Sequence, residues 1–536
     1  MNKLHLLIAL LFSATIPIAS AAAPANDNFA NRQTIGLGAV TTVNTEATAE
    51  AGEPTSGSYR TVWYSFTPTT DSIITIDTTG TSFYNSFVNV FMGNAINQLV
   101  VVTGDSGGSP SSPYSFTFKA KANTTFQICA GARSNSSSSD YNGTLKLTLL
   151  SNAFTHTGPL YGPAVPTDTT PANDRFESRS VIAGNNLTVL AYTTSASLQA
   201  GEPRPSSYKT VWYSYTPTTD SIVTIDTTGT DFYHSFVWVF MGNAVNQLSV
   251  ITGEDGGSPT SPYSFTFKAK ANTPFQICAG STVNSSNSDY YGTLQLTLST
   301  TPFAHVGTLY GPAVPTASTP LNDSFYTPQV LSGNSLTVIG SNWNATIEPG
   351  ESGISKSLWY SWTSPSNKYV VVDLPTELSF SYGTFGVFTG DSPQNGVQVP
   401  QIPGGPSTSY AFNAIAGRTY KMLVASTRSD YGPFQFSLNA SDPPANDAPV
   451  AKITSPKGGR TVSVKGFYIT GYFNDNNGIA AFQIKVNGKL VHNRPYPYAG
   501  KLFSGKVKKG VVTLQIRAKD TLGLWGPYQT VKVKTK

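Results

Sequence analysis

The chain has 536 residues, of which 39% are hydrophobic, 12% aromatic and only 12% charged. So much apolar side chain excludes a disordered polymer, and the length exceeds the roughly 100–200 residues of one domain. The net charge of +5 is unevenly spread: from residue 449 onward 13 Lys and 3 Arg face only Asp475 and Asp520, a net +14, while the remainder carries −9.

In chain order, Lys3, the apolar stretch Leu4 to Ile18 and Ala19-Ser20-Ala21 have the layout of a signal peptide over residues 1–21. The apolar stretch is shorter than the ~20 residues that a spanning helix needs. No later stretch approaches that length, so the expectation is a chain without a membrane span that is secreted, extracellular or held at the cell surface.

The rest is organised by repetition. Val62-Trp63-Tyr64-Ser65-Phe66-Thr67-Pro68 returns as Val211-Trp212-Tyr213-Ser214-Tyr215-Thr216-Pro217 and as Leu358-Trp359-Tyr360-Ser361-Trp362-Thr363, the tryptophans 149 and then 147 residues apart. Asn26-Asp27-Asn28-Phe29 recurs as Asn173-Asp174-Arg175-Phe176 and Asn322-Asp323-Ser324-Phe325. A period this long makes each unit a whole domain. Within a unit, short runs such as Ile73-Ile74-Thr75-Ile76-Asp77 and Leu145-Lys146-Leu147-Thr148-Leu149 alternate, separated by Gly, Asn, Ser and Pro. This pattern predicts strands packed as two antiparallel sheets. The expected architecture is all-β: jelly-roll-like sandwiches over 24–153, 171–302 and 320–441, and an immunoglobulin-like sandwich over 449–536. Pro-rich linkers are placed at 154–170 and 303–319, where a retained Leu-Tyr pair suggests packing on a neighbouring domain.

Cys129 and Cys278 occupy the same position in two repeats, and Leu423 takes that place in the third. A position open to Cys or Leu is an apolar one, so buried free thiols are expected rather than a disulfide.

Several motifs in fixed order resemble the bacterial pre-peptidase C-terminal (PPC) domain. They are the Asn-Asp-x-Phe opening, Ala47-Thr48-Ala49-Glu50-Ala51-Gly52-Glu53-Pro54, Trp63-Tyr64 and Phe91-Met92-Gly93. The resemblance covers roughly residues 24–440 and implies modules that accompany secreted enzymes, adhere to substrate and can hold calcium. On that basis Asp27, Glu50 and Glu53 could converge as calcium ligands. Asp174 with Glu202, and Asp323 with Glu348 and Glu351, would do the same, although Gln199 stands where Glu50 does. The alternative is that the Asp residues cap turns and the Glu residues sit solvated. No cofactor beyond structural calcium is expected. Residues 449–536, with Asp475-Asn476-Asn477-Gly478-Ile479 as a turn and Ala518-Lys519-Asp520 before the last strand, resemble a bacterial immunoglobulin-like domain, which implies a spacer or adhesion module.

Gly104-Asp105-Ser106-Gly107-Gly108 copies the nucleophile motif of trypsin-like proteases. The second repeat, however, has Asp255 in place of Ser106, and no His has the pattern of a partner base. A turn is the reading. Trp63, Trp212 and Trp359 fit a core. Trp238 stands where the first repeat has Asn89, so it is expected to be exposed and available for contact. The +14 module should attract polyanions, with Lys506, Lys508, Lys509, Lys532, Lys534 and Lys536 as the candidates; a lysine surface that only solubilises the strands is the alternative. The expected function is non-catalytic binding or adhesion, the basic module docking to anionic polysaccharide, lipopolysaccharide, extracellular nucleic acid or matrix protein. The rivals are a self-associating subunit of a surface layer or matrix, and an accessory module of a secreted hydrolase.

Overall fold

A computed structural model describes residues 22–536 except 55–56, 136–137, 163–169, 205–206, 285–287, 316–317, 375–382, 403–407, 429 and 444–445. The signal-peptide expectation therefore lies outside the described residues. The chain is all-β, with three tandem sandwiches followed by an immunoglobulin-like sandwich.

The first sandwich sets the pattern. Its strands are β1 Gln33–Thr34, β2 Gly38–Val43, β3 Tyr59–Phe66, β4 Ser72–Asp77, β5 Ser86–Met92, β6 Val100–Gly108, β7 Ser115–Ala120, β8 Phe126–Ala132 and β9 Thr144–Ala153. One sheet runs β1-β3-β8-β5-β6 and the other β2-β9-β4-β7. In β4 and β9 the buried residues alternate, Ile74 and Ile76 lying on the same face as Leu145, Leu147 and Leu149, because only one face of that sheet meets the core. β5 and β8 are buried almost throughout, so period two fades there. Their second face carries a separate cluster of Phe29, Trp63, Phe87, Phe91, Leu99 and Cys129. Both cysteines are buried and free, each directly opposite a tryptophan, Cys129 beside Trp63 and Cys278 beside Trp212. Burial pushes both thiols well above their usual range, which leaves them protonated and unreactive.

The sandwiches are docked rather than strung apart. From the spacer regions, Leu160–Tyr161 adds a parallel strand to Asn186–Tyr192 of the second sandwich, and Thr308–Tyr310 adds one to Ser335–Ser341 of the third. Just before them, His156 Nε2 meets Asp71 Oδ2 at 2.9 Å and His305 Nε2 meets Asp220 Oδ2 at 3.0 Å, tying each segment to the sandwich just left. Leu160 packs with Phe154 and Leu190, and Leu309 with Phe303 and Ile339, so the Leu of each spacer is an apolar seal between neighbours. Tyr192 of the second sandwich belongs to the apolar core of the first and donates to Lys119 O at 2.8 Å.

In the C-terminal module, one sheet pairs Thr461–Val462, Gln529–Thr535, Gly510–Asp520, Ile479–Val486 and Lys489–Pro495 in that order. The other holds Val450–Ser455, Tyr468–Asn474 and Leu502–Phe503. Ile453, Ile469, Phe482, Ile484, Leu514 and Ile516 fill the space between them.

Candidate binding surface and carboxylate clasps

The repeated acidic residues do converge, and they converge on hydrogen-bond donors. Asp27 accepts from Thr48 N at 2.6 Å and from Thr48 Oγ1 at 2.7 Å. Glu50 accepts from Phe29 N at 2.7 Å. Glu53 Oε1 accepts from Glu50 N, Thr61 Oγ1 and Trp63 Nε1 at 2.7–3.2 Å. Asn26 closes the set, its Nδ2 donating to Trp63 O at 3.0 Å, while the Phe29 ring stands edge-on against Trp63 at 5.1 Å. The opening motif is thus a clasp that folds the first residues of the unit over the tryptophan and roofs the outer face of the sheet.

The same clasp recurs. Asp174 holds Ser197 N and Oγ, and Glu202 Oε1 holds Gln199 N, Thr210 Oγ1 and Trp212 Nε1. Asp323 holds Thr346, Glu348 holds Phe325 N and Ser324 Oγ, and Glu351 holds Glu348 N, Ser357 and Trp359. Gln199 shows what this position does in the second unit. Its neutral Oε1 accepts from Phe176 N at 2.8 Å, the bond that Glu50 accepts in the first unit. The neutral amide oxygen therefore fills the same acceptor role as the carboxylate, and in each unit the position is engaged in the clasp rather than solvated. Burial raises the Glu202 carboxyl above its usual range, against the lowering effect of its three donors. Replacing Asp174 with Ala leaves the Ser197 N–H without its acceptor. At about 1.5–3 kcal/mol per charged hydrogen bond, the second sandwich should lose about that much stability by denaturant unfolding, while Asp174→Asn should recover part of it.

Trp238 corrects the sequence reading. It is only 8% exposed, and Asn89 at the same position of the first sandwich is half-buried. The Arg204 guanidinium lies 3.9 Å from the ring centroid, and Trp343 of the third sandwich packs against it at 5.3 Å. Its Nε1 donates to Asp255 Oδ1 at 2.7 Å, and Asp255 is paired with Arg204 at 2.8 Å. The third sandwich thus helps to cover Trp238.

The trypsin-like motif is not the expected turn: residues 104–108 lie within β6, paired with β5. Ser106 is exposed at the end of β6, where its N–H donates to Asp105. A Cβ on Gly104 would lie 2.1 Å from Asn89 Oδ1, and one on Gly253 would lie 2.4 Å from the Trp238 ring, so the glycine serves close packing across strands. Of the histidines among the described residues, His156 and His305 bind Asp71 and Asp220, His234 lies beside Tyr290, and His492 bonds Phe503 O. A cavity of about 430 Å³ separates the first two sandwiches, lined by Met92, Val102, Tyr161, Tyr192 and Tyr213 among others. No group of three His, Cys, Asp or Glu suited to a metal occurs among the described residues.

The lysine candidates are brought together. Lys532, Lys534 and Lys536 alternate with the buried Val533 and Thr535, so all three are exposed on one face, roughly 7 Å apart. Lys506, Lys508 and Lys509 are exposed in the loop leading into Gly510–Asp520. Thr535 Oγ1 donates to Lys508 O at 2.8 Å, which seats the loop beside the last strand. Sequence reasoning missed Arg460 and Lys465. Thr461–Val462 pairs in parallel with Lys534–Thr535, Lys534 N donates to Arg460 O, and Val507 N donates to Val464 O. All of these basic side chains are exposed at one end of the module, and among the described residues none makes an ion pair. Asp475 and Asp520 sit at the other end, where Asp520 pairs with Ile479. By contrast Arg517 is engaged, 4.4 Å over Trp525 and 4.5 Å over Tyr528, on the sheet's outer face.

No family model matches the chain, and no curated protein does either. Among solved structures, fibronectin(III)-like modules of Clostridium thermocellum CbhA are 19% identical, covering 16% of this chain and 96% of their own, at a TM-score of 0.14. The adhesin domain of Epf from Streptococcus pyogenes is 8% identical, covering 34% and 71%, at 0.16. The CUB1-EGF-CUB2 region of rat MASP-1 is 9% identical, covering 49% and 100%, at 0.16. Similarity at this level carries no argument about activity. Among the described residues no helix is long and apolar enough to cross a membrane.

Proposed function

We propose that this is a non-catalytic extracellular binding protein whose C-terminal module docks to an anionic polymer or surface through its basic pole. The observation that carries this reading is the gathering of Arg460, Lys465, Lys506, Lys508, Lys509, Lys534 and Lys536 at one end, with both carboxylates of the module at the other. Charges within a Debye length of about 8–10 Å act jointly on a polyanion, and segregation of the two signs removes internal compensation. The clasped sandwiches, whose sequence resembles PPC units, act as the body that presents this pole. Sulfated or phosphorylated glycan, lipopolysaccharide and extracellular nucleic acid all supply the required density of negative charge.

The full chain should bind heparin at low salt and release it as salt rises. Lys534→Glu with Lys536→Glu should weaken binding on the order of 30-fold, taking about 1 kcal/mol per basic residue at an anionic surface. Retention that is indifferent to salt, or unchanged in the double variant, would refute docking through this pole.

A further inference from the structure

The acidic pole of the C-terminal module holds a feature that polyanion docking does not use. The turn Asp475-Asn476-Asn477-Gly478 joins Tyr468–Asn474 to Ile479–Val486, and Asp520 ends the neighbouring strand. One oxygen of each carboxylate is satisfied: Asp475 Oδ1 accepts from Asn477 N at 2.8 Å, and Asp520 Oδ1 accepts from Leu524 N at 2.7 Å. The other oxygens, Asp475 Oδ2 and Asp520 Oδ2, are buried with no hydrogen-bond donor, and so is Asn477 Oδ1. Asn477 and Asp520 are both 0% exposed. Thr521 Oγ1 donates to Asn477 O, which locks the turn to the residue after Asp520. Asn477 Nδ2 donates to Asn446 Oδ1 at 3.0 Å, which holds the incoming linker, and with it Asp447, at the same turn.

Buried acceptors are normally paired, and an ionised carboxylate that is buried without a donor or counter-charge is among the costliest groups a fold can carry. Here two carboxylates and an amide oxygen are left open on adjoining turns, and among the described residues neither carboxylate makes an ion pair. The contrast with the clasps is chemical. There, N–H and O–H groups hold both oxygens of Asp27, Asp174 and Asp323, and Glu53 Oε2 and Glu202 Oε2 are each left open singly; here one oxygen of each Asp and the Asn477 amide oxygen are open on adjoining turns. What satisfies several oxygens at once, without donating a proton, is a hard cation, and calcium accepts carboxylate, amide and main-chain oxygens together in irregular geometry. Asp520 and Asn477 are fully buried and Asp475 is half-buried with its Oδ2 inside, so the amide oxygen of Asn477 is the third oxygen beside the two carboxylates.

We propose that Asp475, Asn477 and Asp520 form a calcium site that fixes the C-terminal module against the segment leading into it, the linker's Asp447 adding negative charge nearby without being a ligand. The proposal is independent of polyanion docking, since it uses the opposite pole and no lysine.

The test is calorimetric titration of the EDTA-stripped full chain with calcium chloride, with thermal unfolding followed in calcium and in EDTA. One calcium per chain is expected, together with a rise of several degrees in one unfolding transition. Asp475→Asn should abolish both, and in EDTA it should melt at or above the parent temperature because the repulsion is relieved. Asp447→Asn, an exposed linker change that leaves the core intact, should weaken binding several-fold. Absence of binding by the parent chain would overturn the proposal. So would binding that Asp475→Asn and Asp447→Asn leave unchanged, which would place the ion elsewhere, for example at the clasps.

Discussion

Trp212→Ala should lower the unfolding temperature of the second sandwich on the order of 10 °C, through a loss of about 3–5 kcal/mol. The indole is fully buried, stands edge-on to Phe176 at 5.3 Å, packs on Phe240 at 5.8 Å and faces Cys278 across the strand pair. Its removal opens a cavity and also strips a donor from Glu202, 3.1 Å from Nε1. The second effect gives the loss a pH signature. The Glu202 carboxyl is already raised by burial, so its neutral form is the better tolerated one in the folded chain. Stability linked to such a group is fully present below its unfolded pKa of about 4.3 and is lost as pH rises through the folded value. Without the indole donor the folded value rises further, and the variant should lag the parent more at pH 7 than at pH 4. Scanning calorimetry at the two pH values measures this. An equal deficit at both would show that the indole serves Glu202 no better than water does.

The second large effect is expected at Tyr192. The side chain is 6% exposed and sits among the core residues of the preceding sandwich, with its hydroxyl on Lys119 O. Burial pushes the phenol far above its ordinary range, so it remains a neutral donor at any accessible pH. Tyr192→Ala removes about 3 kcal/mol of contact that belongs to two sandwiches at once. The first two sandwiches should then melt as separate calorimetric transitions, the first at lower temperature. Tyr192→Phe keeps the packing and should cost only about 0.5–1.5 kcal/mol. If Ala and Phe gave the same profile, the ring would not be coupling the two bodies.

The strands, their grouping into repeats and the buried cysteines were legible because each is written in side-chain type and spacing. The alternation around Ile74 and Ile76 and the recurrence of Trp63, Trp212 and Trp359 need no knowledge of the fold. The clasps were half legible. Asp27 and Glu50 could be seen to recur, but their partners are main-chain N–H groups of Thr48 and Phe29, 21 residues away, and a main-chain donor leaves no mark in a sequence. Trp238 was misread because Asn89 is itself half-buried and Trp343, in another unit, covers the position in the second sandwich. The basic character of the last module was plain, but the meeting of Arg460 and Lys465 with Lys534 and Lys536 depends on a two-residue parallel pairing too short to show in any pattern.

Tyr192 has a consequence for how the protein is made. The first sandwich ends its last strand at Ala153, yet part of its apolar filling arrives with residue 192. A nascent chain paused after the first unit would hold nine strands around an unfilled edge, so the ribosome must release the opening strands of the next unit before the one behind them is finished. The second unit thus completes the first, and a fragment cut at the apparent boundary between them would fold short of the stability it has in the whole chain.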